Sequence, residues 1–287
     1  MEWLTKRIES LIFKFSVELK KGKWEHLPLH LDYESGKYRQ SELKQIINDA
    51  LPHFALTPKE YKEYSKSGDD GEKYRLAWSR ISKRHKYSKG DYGELLLFLI
   101  LKVFFKSEKL VTKVKLKSGN QEVLGYDCAH FTIEKKEPIL WLGESKFHNN
   151  FSNAITSAFE SLKDHCNVSF TKGTEFSILE PNIEVNKKSK AYNEVKSILK
   201  GVKSFDKLKI KVPIFITYDF DKITNHKSTS SETFISDFKA EYEAKIKSID
   251  NRDLTIASNF ELIFIILPLE SVKSLKDEIE QLEHANR

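Results

Sequence analysis

With 287 residues, 39% of them hydrophobic and 31% charged, the chain can bury a sizeable core under a wet surface, which excludes a disordered or fibrous protein. Its longest apolar runs, Leu95 to Leu101 and Leu262 to Leu269, fall far short of the roughly 20 residues that cross a bilayer, so no membrane partner is expected. The net charge of +6 is uneven: from Pro181 to Lys211 stand nine lysines, among them Lys187, Lys188 and Lys190, against Glu184, Glu194 and Asp206. Such a block can attract a polyanion such as nucleic acid, or can simply be a solvated surface.

The N-terminal residues Met1 to Arg7 contain no long apolar stretch, so no secretion signal is expected and the reading is cytoplasmic. Cys128 and Cys166 make no paired metal-ligand spacing, which argues against a zinc site, and in a reducing compartment both are expected to be structural thiols.

In chain order, Leu4 to Lys20 reads as a helix. Ser41 to Ala50 reads as another, with Leu43, Ile46, Ile47 and Ala50 at helical spacing. Thr57-Pro58-Lys59-Glu60 is a helix start. Ser65 to Glu72 reads as a polar loop, and the basic stretch Trp78 to Ser88 as exposed. Tyr92 to Phe105 is apolar nearly all round, hence a buried helix. Leu110 to Lys117 alternates as a half-exposed strand, Val123 to Ile133 is a second strand with Asp127 inside it, and Ile139 to Phe147 is a third. Asn153 to His165 is an amphipathic helix. Strands Val212 to Tyr218 and Leu262 to Leu267 follow, with helices at Glu232 to Ile249 and Ser271 to Leu282. This order predicts an α/β domain over residues 86–287, a mixed sheet flanked by helices, with residues 1–85 as a mostly helical N-terminal addition packed on it.

Three polar residues stand where an apolar strand does not want them. Glu144 and Lys146 end the run Ile139-Leu140-Trp141-Leu142-Gly143-Glu144-Ser145-Lys146, and alternation puts them on one face. Only a short turn separates their strand from that of Asp127, so hairpin geometry can bring Asp127 beside Glu144. Adjacent carboxylates repel unless a cation lies between them. Mg²⁺, or Mn²⁺ in its place, suits such oxygen donors together with water and phosphate. Lys146 can then orient a water or pair with phosphoryl oxygens. Phosphodiester hydrolysis explains each residue type, and a surface ion pair at a strand end is the bland alternative. Glu94, a lone acid in the buried helix, can reach the same site or be satisfied by the helix dipole.

Three segments, taken in order, carry a family likeness: Gly90-Asp91-Tyr92-Gly93-Glu94-Leu95-Leu96, Gly125-Tyr126-Asp127-Cys128-Ala129-His130 and Leu142-Gly143-Glu144-Ser145-Lys146-Phe147. From about Lys89 to Leu162 the chain resembles the DUF1837 family, which includes the HamA nuclease subunits of Hachiman anti-phage defence systems. The resemblance implies a PD-(D/E)xK restriction-endonuclease-like fold. Its acid, acid and lysine would fall on Asp127, Glu144 and Lys146, and its helix glutamate on Glu94. Tyr126 stands where the named proline would precede the aspartate. The resemblance also implies a superfamily 2, HamB-like helicase partner that restrains the nuclease until infection or DNA damage releases it on DNA without strict sequence preference. The chain has no phosphate-binding G-x-x-x-x-G-K-[ST] loop, so no ATP site is expected in it.

Lys113, Lys115 and Lys117 form a basic strand face that can track a DNA backbone, and His148 continues the face of Lys146. His130 reads as a packing group, while Ser157 and Lys163 lie on the helix after the site. The competing functions are a non-catalytic DNA-binding or scaffold subunit and a stand-alone restriction endonuclease. The complete set Glu94, Asp127, Glu144 and Lys146 favours the nuclease over a decayed scaffold, and no element for reading a DNA sequence is identifiable.

Overall fold

The computed structural model describes residues 1–81, 90–110, 117–118, 121–122, 126–135, 137–166, 193, 197 and 208–286. The chain opens with helix α1 (Glu2–Glu9), then strands β1 (Ile12–Lys14) and β2 (Glu25–Leu31). A small hairpin, β3 (Tyr33–Glu34) and β4 (Lys37–Tyr38), leads through a 3-10 turn at Arg39–Ser41 into α2 (Glu42–Ala55), α3 (Pro58–Ser67) and α4 (Asp70–Ser79). Next come α5 (Asp91–Phe104) and the short strands β5 (Glu108–Lys109), β6 (Lys117–Ser118) and β7 (Gln121–Glu122). The site-bearing segment is β8 (Cys128–Glu134), β9 (Glu137–Phe147) and α6 (Phe151–His165). After it come β10 (Lys209–Asp219), a 3-10 turn at Asp221–Asn225, α7 (Glu232–Asp250), β11 (Phe260–Leu269) and α8 (Val272–Asn286).

One seven-stranded sheet runs in the order β1-β2-β11-β10-β9-β8-β5. Its middle strands, β2, β11, β10 and β9, are mutually parallel, while β1, β8 and β5 pair antiparallel at the two sides. β10 and β11 are buried along nearly their whole length, as expected of parallel strands covered on both faces, so they read as unbroken apolar runs.

The N-terminal part departs from the expected helical addition. The helix from Leu4 stops at Glu9, and Ile12, Phe13 and Lys14 pair with Leu31, His30 and Leu29. Glu25–Leu31 then joins the main sheet beside β11. Long-range pairing decides here: Pro28 sits in β2 opposite Ile266, where a proline obscures the strand pattern. The polar stretch from Ser65 to Glu72 is two helix ends rather than a loop. Gly68 takes φ +72° to stop α3, and Asp69 accepts from the Glu72 N–H to start α4. Trp78 and Ile81 are core residues, not exposed, and residues 82–89 of that basic stretch lie outside the described set. β8 begins at Cys128, so Asp127 stands just ahead of the strand, and residues 123–125 lie outside the description.

Two helices sandwich β9. Gly143 and Gly93 let α5 lie directly on one face: a Cβ at Gly143 would stand 2.8 Å from Leu97 Cδ2, and one at Gly93 2.8 Å from Phe147 Cβ. α6 covers the other face, where Lys146 reaches it. Residues 143, 145 and 147 therefore face α5, and residues 144 and 146 face α6.

Candidate active site

Strand β9 enters the core with Leu140 and Leu142, both about 1% exposed or less, and then carries Glu144 at 6% exposure. A carboxylate so buried needs a positive partner. Lys146 supplies it from the same face, with Nζ 2.5 Å from Glu144 Oε1. The ammonium also donates to Ser161 Oγ at 3.1 Å, and Ser161 donates in turn to the Ser157 carbonyl at 3.2 Å. Lys146 is thus gripped between its own strand and α6. The expected Ser157 enters only through its carbonyl oxygen, and Ser161 is the residue the sequence reading missed. The sequence offers only spacing as a hint: Ser157 and Ser161 are four residues apart, on one helix face, which does not by itself single out Ser161.

Asp127 is fastened on both sides of Glu144. Its backbone N–H donates to the Gly143 carbonyl at 2.9 Å, and its Oδ2 accepts from the Ser145 N–H at 2.6 Å. This side-chain bond fixes the carboxylate against the amide that follows Glu144. Tyr126 anchors the same segment to α6, its hydroxyl donating to the His165 carbonyl at 2.8 Å. Asp127, Glu144 and Lys146 are therefore neighbours.

Cys166 closes α6 beneath this group. Burial pushes its thiol up to about 12, the Tyr126 hydroxyl opposes that shift, and the nearby Glu144 charge adds to it. Such a thiol stays protonated at neutral pH and is a structural filler, as the sequence suggested.

Glu94 occupies the first turn of α5, 4% exposed. Its Oε1 turns back toward Gly90, 3.5 Å from where a Cβ on that residue would stand. Gly93 beside it abuts Ser145 and Phe147, so this turn stands over the opposite face of β9 from Lys146. Among the described residues no three His, Cys, Asp or Glu side chains gather as a metal-holding group, so Glu94 does not complete a trio with Asp127 and Glu144 in this conformation.

His130 is 1% exposed, shares a 2.8 Å hydrogen bond with Ser107 Oγ through Nδ1 and meets Phe98 edge-on. Burial pushes it down to about 3, with Lys109 and Lys102 adding to the shift. It is a neutral packing group, as read. His148 follows β9, half-buried; burial lowers its pKa, and the charges of Lys276 and Lys146 act the same way. Lys117 lies in β6. Lys113, Lys115, Lys187, Lys188 and Lys190 lie outside the described residues.

Among the described residues, no helix is long and apolar enough to cross a membrane. No curated protein matches the chain. The family model of HamA does match, over residues 5–282. With nearly its whole length covered, the chain belongs to the HamA family, a membership that fits a subunit of the Hachiman defence system.

Proposed function

We propose that this protein is a magnesium-dependent deoxyribonuclease of the PD-(D/E)xK type, the effector of an anti-phage complex in which a superfamily 2 helicase restrains and activates it. The observation that carries the reading is the clip between Asp127 and the residues on both sides of Glu144, with Lys146 in contact with Glu144. The order α5, β8, β9, α6, with the acids at the start of β8 and late in β9, supports the fold assignment.

The donor chemistry fits the metal. Asp127 and Glu144 offer hard carboxylate oxygens, and magnesium is commonly held by one or two such groups, its other positions filled by water and phosphate. When bound there, the ion supplies Lewis acidity at the phosphoryl group and a lower pKa for water.

The chain's own residues do the rest. Asp127 is oriented by the Ser145 amide, so its carboxylate presents one geometry. Glu144 Oε1 faces an ammonium and not a backbone donor, so it can exchange Lys146 for a divalent cation. Lys146, still held at Ser161, is then free to donate to a phosphoryl oxygen or to orient the attacking water. Glu94, the third acid of the proposed set, stands over the other face of β9 in this structure, so its part requires a rearrangement of the first turn of α5.

The experiment is plasmid degradation by the purified protein with its helicase subunit. Mg²⁺ should support loss of intact plasmid, and EDTA should prevent it. Plasmid that survives in Mg²⁺, or that is degraded equally in EDTA, contradicts the proposal.

A further inference from the structure

Helix α8 packs on the molecule through Val272, Leu275 and Ile279. Lys276 falls in that same stripe and is only 7% exposed. A buried ammonium is costly unless an opposite charge accompanies it. Of the acids on the helix, Glu278 pairs with Lys44 at 2.9 Å, and Glu283 accepts from the Tyr92 hydroxyl at 2.8 Å. Among the described residues no carboxylate acts on Lys276, and burial alone draws its pKa below the usual lysine range. Its Nζ stands 5.2 Å from the centroid of the Phe147 ring, and a ring face offsets only part of the lost hydration.

The position is informative. Phe147 directly follows Lys146, and both Lys276 and Lys146 bear on His148. Three basic groups thus lie at the end of β9, Lys276 over Phe147 on the α5 side and Lys146 on the α6 side, with His148 influenced by both. A cation kept dry and without a counter-charge is ready for an anion from outside the chain. At the end of the strand that carries the proposed cutting site, the anion that the nuclease reading supplies is a backbone phosphodiester.

We propose that Lys276, with His148 beside it, forms a subsite for a non-scissile backbone phosphate of the bound DNA. The assignment rests on the nuclease reading above. Lys276 is a binding residue there, separate from the acids and lysine of the cutting site.

The test is equilibrium binding of a short fluorescein-labelled duplex to the full chain in EDTA, repeated across a KCl series. Lys276→Met should weaken binding roughly tenfold and make the log–log salt dependence shallower by about one. Lys276→Arg should keep the wild-type slope. The Met variant should melt at or above the wild-type temperature, because it keeps the apolar stem and removes the uncompensated charge. Should it fail to fold, Lys276→Gln gives the same binding readout. Wild-type affinity and slope in the uncharged variant overturn the subsite and leave the nuclease reading standing. If binding to the helicase subunit weakens while the DNA slope is unchanged, the occupant is a partner carboxylate and the subsite is again overturned. Wild-type protein that binds no DNA at low salt overturns both readings.

Discussion

Lys146 has two side-chain partners that do different things. Glu144 neutralises it, and Ser161 aims it. If the ammonium works on a phosphate or a water, losing the aim should slow turnover without loosening the substrate. A hydrogen bond of this kind contributes about 0.5–1.5 kcal/mol, so Ser161→Ala should lower the cleavage kcat roughly 2- to 10-fold with KM unchanged, and Ser161→Thr should restore it. Steady-state kinetics on a labelled duplex checks this; an unchanged kcat would make Ser161 a mere helix surface residue. At this scale the sequence was legible where residue type conflicts with its surroundings. Asp127, Glu144 and Lys146 stood out as charges beside apolar strand residues, and His130 was recognised as packing. Lys276 and Ser161 were not found, because each conforms to its helix: a lysine stem passes for an apolar spacer, and a serine is unremarkable on an amphipathic face. Only tertiary packing shows that one is buried and the other meets the lysine of β9.

At the scale of elements, the strand that carries the site is held from its other face by how closely α5 lies on it. Gly93 and Gly143 create that approach, and a Cβ at Gly93 would stand 2.8 Å from Phe147 Cβ, an atom bonded directly to the strand backbone. Gly93→Ala should therefore push the helix off the strand. Overpacking of this kind typically costs about 1–3 kcal/mol, and the melting temperature should fall accordingly. A calorimetric scan matching wild type would show that the two elements have slack. Most helices and the long strands were readable from periodicity, with ends shifted by up to about five residues; the first helix is the exception, stopping at Glu9 where Lys20 was expected. Where Gly68 turns between α3 and α4, a polar run hid two caps behind the look of a loop. β1 and β2 were missed for another reason. Three residues of β1 are too few to show alternation, and Pro28 interrupts β2, so both owe their strand state to partners distant in sequence.

At the scale of the whole molecule, the sheet puts late strands at its centre and early ones at a side, so the N-terminal segment is part of the same sheet as the site. Family membership spans residues 5–282 and thus takes in that segment too. The mixed α/β class was legible from the alternation of helix and strand patterns, but the strand order, with β2 beside β11, has no local signal. The central claim is that Asp127, Glu144 and Lys146 form one DNA-cutting site. It is tested most directly by the Mg²⁺-dependent cleavage rates of Glu144→Ala and Lys146→Ala, each shown by circular dichroism to fold as wild type does. Removing a group that acts in the transition state should lower the rate roughly 100-fold or more in each. Either variant cutting at the wild-type rate would contradict the site.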